Sequence, residues 1–517
     1  MNISRRSSWL TTALFALAST CALAVHAPSP RLAHAGPIDD VNIQRARLAI
    51  TEHELAQAHQ ILDSVDAKSP HGIAERARLA LYEQRCDESV ELFSSIDASK
   101  DEELADVFQI AKGCARVTAS TVVDTFPGDI EIRFQDELDR PLGNMLADSV
   151  RVSRDTLAKD LNITWPKPTR VTVVRDHMSL SAMTGLPYES AKTTGTVAVA
   201  KWSRVILLSP RAVPHGYPWR DTMTHELTHL GITRMSADRA PLWFQEGLAK
   251  REEVRWREPL PFDERPPTNQ IVLEGMQKKQ DLPLDKLGPS IAMLPSADAA
   301  RVAFAEVTSF VQYLEEKQSG TLAKMLPAFK TKKGVDEALK EVTGLSLSEW
   351  DKEWRADLIR KTIVNRMPKP ALTGPRDRDA FRLAELALLE GHERLALRHV
   401  ARLSTPPPQS PSPFTRAIAG QALIAVGEME AAKKALSEAN LEAACASYWV
   451  ARGHLTKATD PKASAFAYEQ AVAQDPFAKS AVCTSEEPNE GKSGQQGPLC
   501  QMATDAGLRS VMLATTD

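Results

Sequence analysis

Two histidines four residues apart, with a glutamate directly after the first, form the segment of this chain best suited to chemistry. They are His225, Glu226 and His229. Four residues advance an α-helix by about 400°, so both imidazoles project from one face, one turn apart, and can bind a single metal ion. The Glu226 carboxylate stands beside them and can take a proton from a water whose pKa zinc lowers to about 7. The spacing therefore predicts a zinc site with hydrolytic chemistry.

A third metal ligand is needed to separate this interpretation from coincidence. The pattern arises by chance about 0.02 times in a chain with 12 histidines. Two histidines on one helical face can also be structural residues of the protein core. Glu246 meets the need, because it is a lone carboxylate among residues 240–249, which otherwise resemble a buried helix starting near Pro241. Two neutral histidines and one carboxylate leave zinc a fourth position for water, as in catalytic sites. Gly247 and Ala249 are expected to let the two helices approach closely.

The combined pattern resembles the gluzincin metallopeptidases, specifically the bacterial peptidase-MA-like group. It consists of His-Glu-Leu-Thr-His, sixteen residues (230 to 245), and a glutamate in a Trp-Phe-x-Glu-Gly-x-Ala context. The resemblance covers roughly residues 120 to 360. It implies one Zn²⁺ ion bound by His225, His229 and Glu246, with Glu226 as general base. It also implies a thermolysin-like zincin domain, which makes the expected fold class helix-rich α+β.

The residues before the motif favour such a domain on their own pattern. Residues 129–134 and 170–174 cluster β-forming side chains, and a helical pattern runs from about 142 to 160 between them. Residues 196–200 and 205–208 flank a four-residue loop, which is the spacing of a β-hairpin. In gluzincins the edge strand at this place pairs with the substrate backbone, so the resemblance implies a substrate-binding edge at 196–200. An ordinary edge hairpin is the alternative.

The residues after the motif predict helices but depart from the family pattern. Apolar spacing predicts one helix around 303–314, and a serine cap predicts another from 344 onward. Family members often carry tyrosine where this chain has Phe304 and Thr308, and a tyrosine hydroxyl there is the natural donor to the oxyanion. The candidate replacements are Tyr313, His215 and Tyr217. For each of them a purely structural role is the alternative.

A second departure concerns the group behind the metal ligands. A zinc-bound histidine usually donates its other N–H to a carboxylate, and the thermolysin pattern places an acid four residues after the ligand glutamate. In this chain that position is Lys250, while Glu253, seven residues on, can serve instead. Glu252 and Glu253 can alternatively be solvated charges beside Arg251 and Arg255.

The N-terminal residues predict export. Paired arginines precede an interrupted apolar run, and Ala33-His34-Ala35 offers a cleavage site, with residues 25–27 as a rival, so residues 1–35 are interpreted as a signal peptide. The run is too short for a membrane span, and no later stretch approaches about 18 apolar residues. Lipoprotein anchoring at Cys21 is not favoured, because Thr20 before it fits poorly. The expected location is the periplasm or the exterior.

Cysteine usage agrees with an exported protein that is not built on disulfides. Five cysteines remain after removal of the signal peptide, an odd number spread over a long chain. The local pairing possibilities are Cys86 with Cys114 and Cys483 with Cys500, which leaves Cys445.

Composition narrows the class of partner. The chain has 517 residues, 43% of them hydrophobic and 25% charged, as in ordinary globular proteins. Its formal charge of −4 comes from 63 basic and 67 acidic residues, without any basic block, so nucleic acid is not an expected partner. The resemblance to gluzincin metallopeptidases implies a protein or peptide substrate instead.

Helical repeats flank the predicted catalytic region. Residues 48–67 and 79–98 align at an offset of 31 with coinciding apolar positions, and a similar pattern returns after residue 380, so both resemble tetratricopeptide helix pairs. The predicted organisation is signal peptide 1–35, repeats 38–118, zincin domain 120–365, linker 366–380, repeats 381–478 and flexible tail 479–517. The repeats either dock a substrate or partner protein or serve as scaffolding.

The sequence thus predicts an exported zinc metallopeptidase with docking repeats. The alternative is a non-catalytic tetratricopeptide-type assembly or chaperone factor whose zincin domain binds zinc without turnover. Hydrolysis of a non-peptide amide is a third option.

Overall fold

The computed structural model describes residues 37–213, 216–260, 263, 267–287, 291, 294–332, 334–361, 374–439, 441–478, 481–483, 497, 500, 501, 503 and 504. The predicted signal peptide and His215 lie outside these residues, as do the greater part of the predicted linker and tail. The described residues form a helix-rich α+β fold with one mixed sheet, as the fold class predicted at the coarse level.

The sheet has five strands in the order β1-β2-β3-β5-β4. The strands are β1 (Val122–Phe126), β2 (Ile130–Phe134), β3 (Thr169–Val174), β4 (Ala198–Lys201) and β5 (Arg204–Leu208). Strands β2, β3 and β5 run parallel, while β1 and β4 pair antiparallel with β2 and β5. The predicted strand, helix and strand between 129 and 174 are confirmed, whereas β1 was not predicted. Strand β4 lies at one edge of the sheet.

The helices fall into three groups along the chain. Those before the sheet are α1 (Pro37–Thr51), α2 (Leu55–Asp63), α3 (Pro70–Tyr82), α4 (Cys86–Ser94) and α5 (Glu102–Thr118). Those within and after the sheet are α6 (Gly143–Leu161), α7 (His177–Thr184), α8 (Tyr188–Thr194), α9 (Trp219–Ser236), α10 (Leu242–Glu252), α11 (Thr268–Gln277), α12 (Ala297–Lys317), α13 (Thr321–Thr331), α14 (Val335–Thr343) and α15 (Leu347–Lys361). The last group is α16 (Pro375–Leu389), α17 (Glu393–Val400), α18 (Pro413–Ala425), α19 (Met429–Ala435), α20 (Ala446–Thr456) and α21 (Pro461–Gln474).

Local sequence explains several of these boundaries. Ser346 and Glu349 exchange hydrogen bonds with each other's backbone N–H, at 2.8 and 3.3 Å, so a reciprocal cap begins α15 as the sequence predicted. Pro375 begins α16 inside the range predicted as a linker, because proline suits the first turn of a helix. The hairpin loop between β4 and β5 is only Trp202 and Ser203, with φ of 55° and 57°, rather than the four residues expected.

The same helix-turn-helix unit recurs on both sides of the sheet region. In α1–α2, α3–α4, α16–α17 and α18–α19 the turn residue has positive φ and the next N–H bonds back to a carbonyl five residues earlier. The four turn residues are His53, Gln84, Gly391 and Gly427. His53 and Gln84 are separated by the 31 residues of the offset seen in the sequence.

The N-terminal helices cover one face of the sheet. Ile206 and Leu208 of β5 share a buried cluster with Leu81 and Phe93 of α3 and α4. The fully buried Arg204 side chain donates a hydrogen bond to the Leu81 carbonyl. The opposite face packs on α6 and on helices α9 to α15, which contribute to the largest hydrophobic core among the described residues. Helix α7 instead lies on the same face as the N-terminal helices, where Leu180 and Met183 join their cluster.

Helix α9 is held at both ends by the flanking helical segments. At its start, the Tyr217 N–H bonds to the Gln474 carbonyl at 2.8 Å, and the Trp219 indole N–H bonds to the Val472 carbonyl at 3.1 Å. Near its end, Arg234 reaches the turn between α1 and α2, where it bonds to backbone carbonyls and to the Glu54 carboxylate at 2.6 Å. The helix with the histidine motif is therefore buttressed from both sides.

Two disulfide bonds are present, Cys86–Cys114 and Cys483–Cys500, and Cys445 is a buried free thiol. The first ties α4 to α5. Both bonds are consistent with an oxidising, extracytoplasmic location. Among the residues that the structure describes, no helix combines the length and the apolar character needed to cross a membrane.

Candidate metal centre

Helix α9 presents the histidine motif because its other side is anchored in the core. Met223 and Leu227 are fully buried, and the Thr224 hydroxyl lies 2.7 Å from the Ser153 hydroxyl of α6. His225 and His229 therefore point away from α6 and keep 14% and 15% of their side-chain surface exposed.

Helix α10 brings Glu246 to the same place. Trp243 packs edge-on against Phe310 of α12, with ring centroids 5.1 Å apart, which fixes the rotation of α10. A Cβ at Gly247 would lie 2.4 Å from the Val307 carbonyl oxygen of α12. The glycine thus permits close approach of α10 to α12, and not of α10 to α9 as the sequence suggested.

The three candidate ligands form a compact triangle of donor atoms. The two histidine Nε2 atoms are 3.2 Å apart, and Glu246 Oε2 lies 3.7 Å from His225 Nε2 and 3.6 Å from His229 Nε2. Two donors that each bind a tetrahedral zinc at about 2.0–2.1 Å are about 3.3–3.4 Å apart. The donor types and spacings therefore fit one zinc ion. Within the described residues, this is the group of three that could hold a metal ion.

A carboxylate lies behind the first histidine. Glu253 Oε2 is 3.0 Å from His225 Nδ1, and because an ionised carboxylate only accepts, the imidazole donates through Nδ1–H. In the neutral ring this leaves the lone pair on Nε2, facing His229 and Glu246. The second oxygen of Glu253 accepts from the Lys250 ammonium at 2.6 Å.

The charges of this cluster shift the pKa values of its members. Burial opposes protonation of His225, but hydrogen bonds to Glu246 and Glu253 outweigh it and raise the pKa of His225 to about 10. For Glu246 burial acts against the charged form, yet the two histidines hold its pKa well below the usual range. Glu253 is likewise kept ionised, because Lys250 and His225 lower its pKa despite burial. The site therefore favours bound positive charge at its centre.

Glu226 lies between α9 and the edge strand of the sheet. Its side chain is 8% exposed, and burial raises its pKa, which favours proton uptake. The Ala200 backbone N–H lies close to this carboxylate and acts in the opposite direction, favouring its charged form. The Leu208 N–H bonds to the Val197 carbonyl, so the alternating antiparallel register turns the backbone groups of Ala198 and Ala200 away from β5. The edge of β4 therefore faces α9, the helix with the histidine motif.

The tyrosines considered for the oxyanion are placed in structural contacts. The Tyr217 hydroxyl is buried and donates to the Leu208 carbonyl, which ties the chain before α9 to β5. Tyr313 is buried with its ring edge-on to Trp350, at 6.0 Å between centroids. The Thr308 hydroxyl donates to the Phe304 carbonyl one turn earlier. His215 lies outside the described residues.

Two contacts of the site were not predicted. The Lys250–Glu253 pair follows the i, i+3 spacing of helical ion pairs, so the sequence carried a signal for it. The approach of the Ala200 N–H to Glu226 joins an edge strand to a helix that is distant in the sequence, and no local pattern marks it.

No protein-family model matches this chain, and no curated protein shows significant similarity to it. The fold and site define a helix-rich α+β protein with a His-His-Glu group that could hold a metal ion, spaced as in the zincin motif.

Proposed function

We propose that the chain is an exported zinc metallopeptidase of the gluzincin type, in which residues 120–365 form the zincin domain. The observation that carries the proposal is the convergence of His225, His229 and Glu246 on one point, with Glu226 beside them. The sequence spacing predicts these ligands, and the triangle of donor atoms independently has the dimensions of a zinc site. The two disulfides, with the signal predicted in residues 1–35, support export.

The residues of the site divide the work of peptide hydrolysis. A zinc ion bound by these three residues would supply a Lewis acid that polarises the peptide carbonyl. It would also lower the pKa of a bound water to about 7. Glu226 takes up the proton of the attacking water and returns it to the leaving amine. The outward-facing backbone of Ala198 and the Ala200 carbonyl orient an extended substrate by strand addition, while the Ala200 N–H stays with Glu226. Glu253 fixes the tautomer and direction of His225.

The helical repeats on the N-terminal side act as scaffolding in this proposal. Their helices cover the sheet, and their first turn binds Arg234 of the motif helix. A docking role for substrate or partner proteins is assigned to the C-terminal repeats, residues 381–478, whose last helix approaches the start of α9.

A zinc-binding assembly factor without turnover is the second candidate. One observation favours it: the hydroxyl of Tyr217 is committed to a backbone carbonyl, and Tyr313 is buried against Trp350. Neither placement supports a donor to the oxyanion, which normally contributes strongly to hydrolysis.

One experiment separates the two functions. Zinc content and cleavage of an unfolded protein are measured for wild type, Glu226→Gln and the surface control Glu430→Gln. The peptidase proposal expects about one zinc in all three and cleavage that only Glu226→Gln reduces, by about 10²-fold or more. If the protein binds zinc but shows no Glu226-dependent cleavage, the assembly-factor function is favoured. If it binds no zinc, both proposed functions are contradicted.

A further inference from the structure

A lysine stands behind the metal-ligand group where the family pattern has an acid. Lys250 lies one helical turn after Glu246 on α10, and its ammonium contacts Glu253 at 2.6 Å. Its side chain is about one-third exposed, at 35%, while Glu253 is more deeply buried at 19%. A cation beside a cation-binding site is unfavourable by simple Coulomb interaction, so its presence calls for a specific role.

The contacts form an unbroken line from the lysine to the metal-ligand atom. Lys250 Nζ binds Glu253 Oε1, and Glu253 Oε2 accepts from His225 Nδ1 at 3.0 Å. The two partners of Glu253 use different oxygens, so the carboxylate is held at both ends and its rotation is restricted. The opposite ring nitrogen of His225 is the atom that faces His229 and Glu246.

The other charges nearby have partners of their own. Asp221, one turn before His225, is bound by Arg257 at 2.9 Å and by the Trp256 indole N–H at 2.8 Å. The Phe304 ring centroid lies 5.9 Å from Lys250 Nζ, so it makes only a weak cation–π contact with the ammonium. Lys250 is therefore the side chain positioned to hold Glu253 against His225.

We propose that Lys250 is a positioning residue that fixes the Glu253 carboxylate in the orientation that accepts the His225 Nδ1–H. By holding His225 in this way, Lys250 and Glu253 together strengthen metal binding. The inference rests on the metal site of the proposed function, but peptide hydrolysis is not part of it. In this chain an ion pair takes the place of the single acid of the family pattern.

Zinc affinity, measured by competition with a chelator on the metal-free full-length protein, tests the proposal. Lys250→Met should raise the zinc Kd by about tenfold or more, since loss of such supporting groups weakens metal binding by about 10–100-fold. Long-range Coulomb interaction alone predicts the opposite sign, because removing a cation strengthens cation binding. The matched control is Lys433→Met, which removes another Lys–Glu i, i+3 pair, at 2.7 Å on the surface, and should leave the Kd unchanged.

A double-mutant cycle identifies the route of the effect. If Lys250 acts through Glu253, Lys250→Met combined with Glu253→Gln should bind zinc within about twofold of Glu253→Gln alone. If the two substitutions act independently, their fold-changes in zinc Kd should multiply in the double variant, and that result would overturn the proposal. An unchanged or lower Kd in Lys250→Met would overturn it as well.

Folding and turnover are separated from this test. The thermal midpoint of the metal-free variants shows whether Lys250→Met folds; if it does not, Lys250→Gln should show the loss of affinity and Lys250→Arg should stay within about threefold of wild type. Equal affinities for these two variants would contradict the proposal. Since the readout is zinc binding, an inactive but zinc-binding wild type would refute the peptidase function and leave this inference standing.

Discussion

A buried carboxylate in α12 should make the stability of the region around α12 depend on pH. The Glu306 side chain is fully buried, accepts the Leu282 N–H at 3.1 Å and lies 3.4 Å from the Arg355 guanidinium. Burial is the largest influence and outweighs these contacts, and the carboxylates of Asp281 and Asp351 add to it. Together they raise the pKa of Glu306 to about 7 from its usual 4.5.

The sign and size of the effect follow from this shift. Between these two pKa values the folded protein binds more protons than the unfolded chain, so the stabilisation is fully present below pH 4.5 and is lost as pH rises through about 7. Each pKa unit corresponds to about 1.4 kcal/mol, so the wild type should lose about 2 to 3 kcal/mol of unfolding free energy between pH 5 and pH 8 from this group. In Glu306→Gln the loss should vanish, because the amide is neutral at both pH values and still accepts the Leu282 N–H.

Thermal unfolding of wild type, Glu306→Gln and Glu316→Gln at pH 5 and pH 8 measures the effect. Glu316 is an exposed carboxylate on the same helix and serves as the control. The melting temperature of Glu306→Gln should equal that of the wild type at pH 5 and exceed it by roughly 5 °C at pH 8. Arg355 keeps Asp281 and Asp351 as partners, at 2.8 and 3.0 Å, so the substitution does not orphan it. An advantage that is the same at both pH values would refute the reasoning.

Three further perturbations test how the site is held. Ala200→Pro should keep the melting temperature within about 2 °C, because proline is tolerated where the N–H faces away from the neighbouring strand, yet it should lower cleavage at least about tenfold by removing the N–H that lies beside the proposed base. The control Val199→Pro should unfold the hairpin, and unchanged cleavage in Ala200→Pro would contradict this role of the N–H. Arg234→Met should destabilise the protein by about 1–3 kcal/mol and speed proteolytic release of the N-terminal helices, and equal proteolysis rates would show that this contact is not needed. Gly247→Ala should lower the free energy of unfolding in urea by about 1–3 kcal/mol, because the added Cβ would lie 2.4 Å from a backbone oxygen of α12. The control Gly334→Ala, which has open space around it, should leave this free energy unchanged.

The sequence was sufficient for those features that arise from local periodicity. The i, i+4 spacing of His225 and His229 places both rings on one helical face whatever surrounds the helix. Glu246 was identifiable because a single carboxylate in an apolar turn requires a cationic partner. Strands β2 and β3 with α6 between them were predictable for a similar reason, since alternation and helical spacing appear directly in the chain.

The short strand β1 was missed because its side chains alternate between half-buried and exposed, so it lacks a fully buried face. The hairpin loop was expected to be longer, because neither Trp202 nor Ser203 belongs to the residue types that usually adopt positive φ.

Only the tertiary structure decided which groups contact the candidate metal ligands. The sequence left Glu253 open between a supporting carboxylate and a solvated charge, and the fold places it 3.0 Å from His225 because α10 packs against α9 at this point. The same holds for Ala200, whose N–H reaches Glu226 only because β4 is the edge strand and that N–H faces away from β5. Local spacing thus identified the candidate ligands, whereas the groups that orient them depend on packing between elements distant in the chain, which no local pattern encodes.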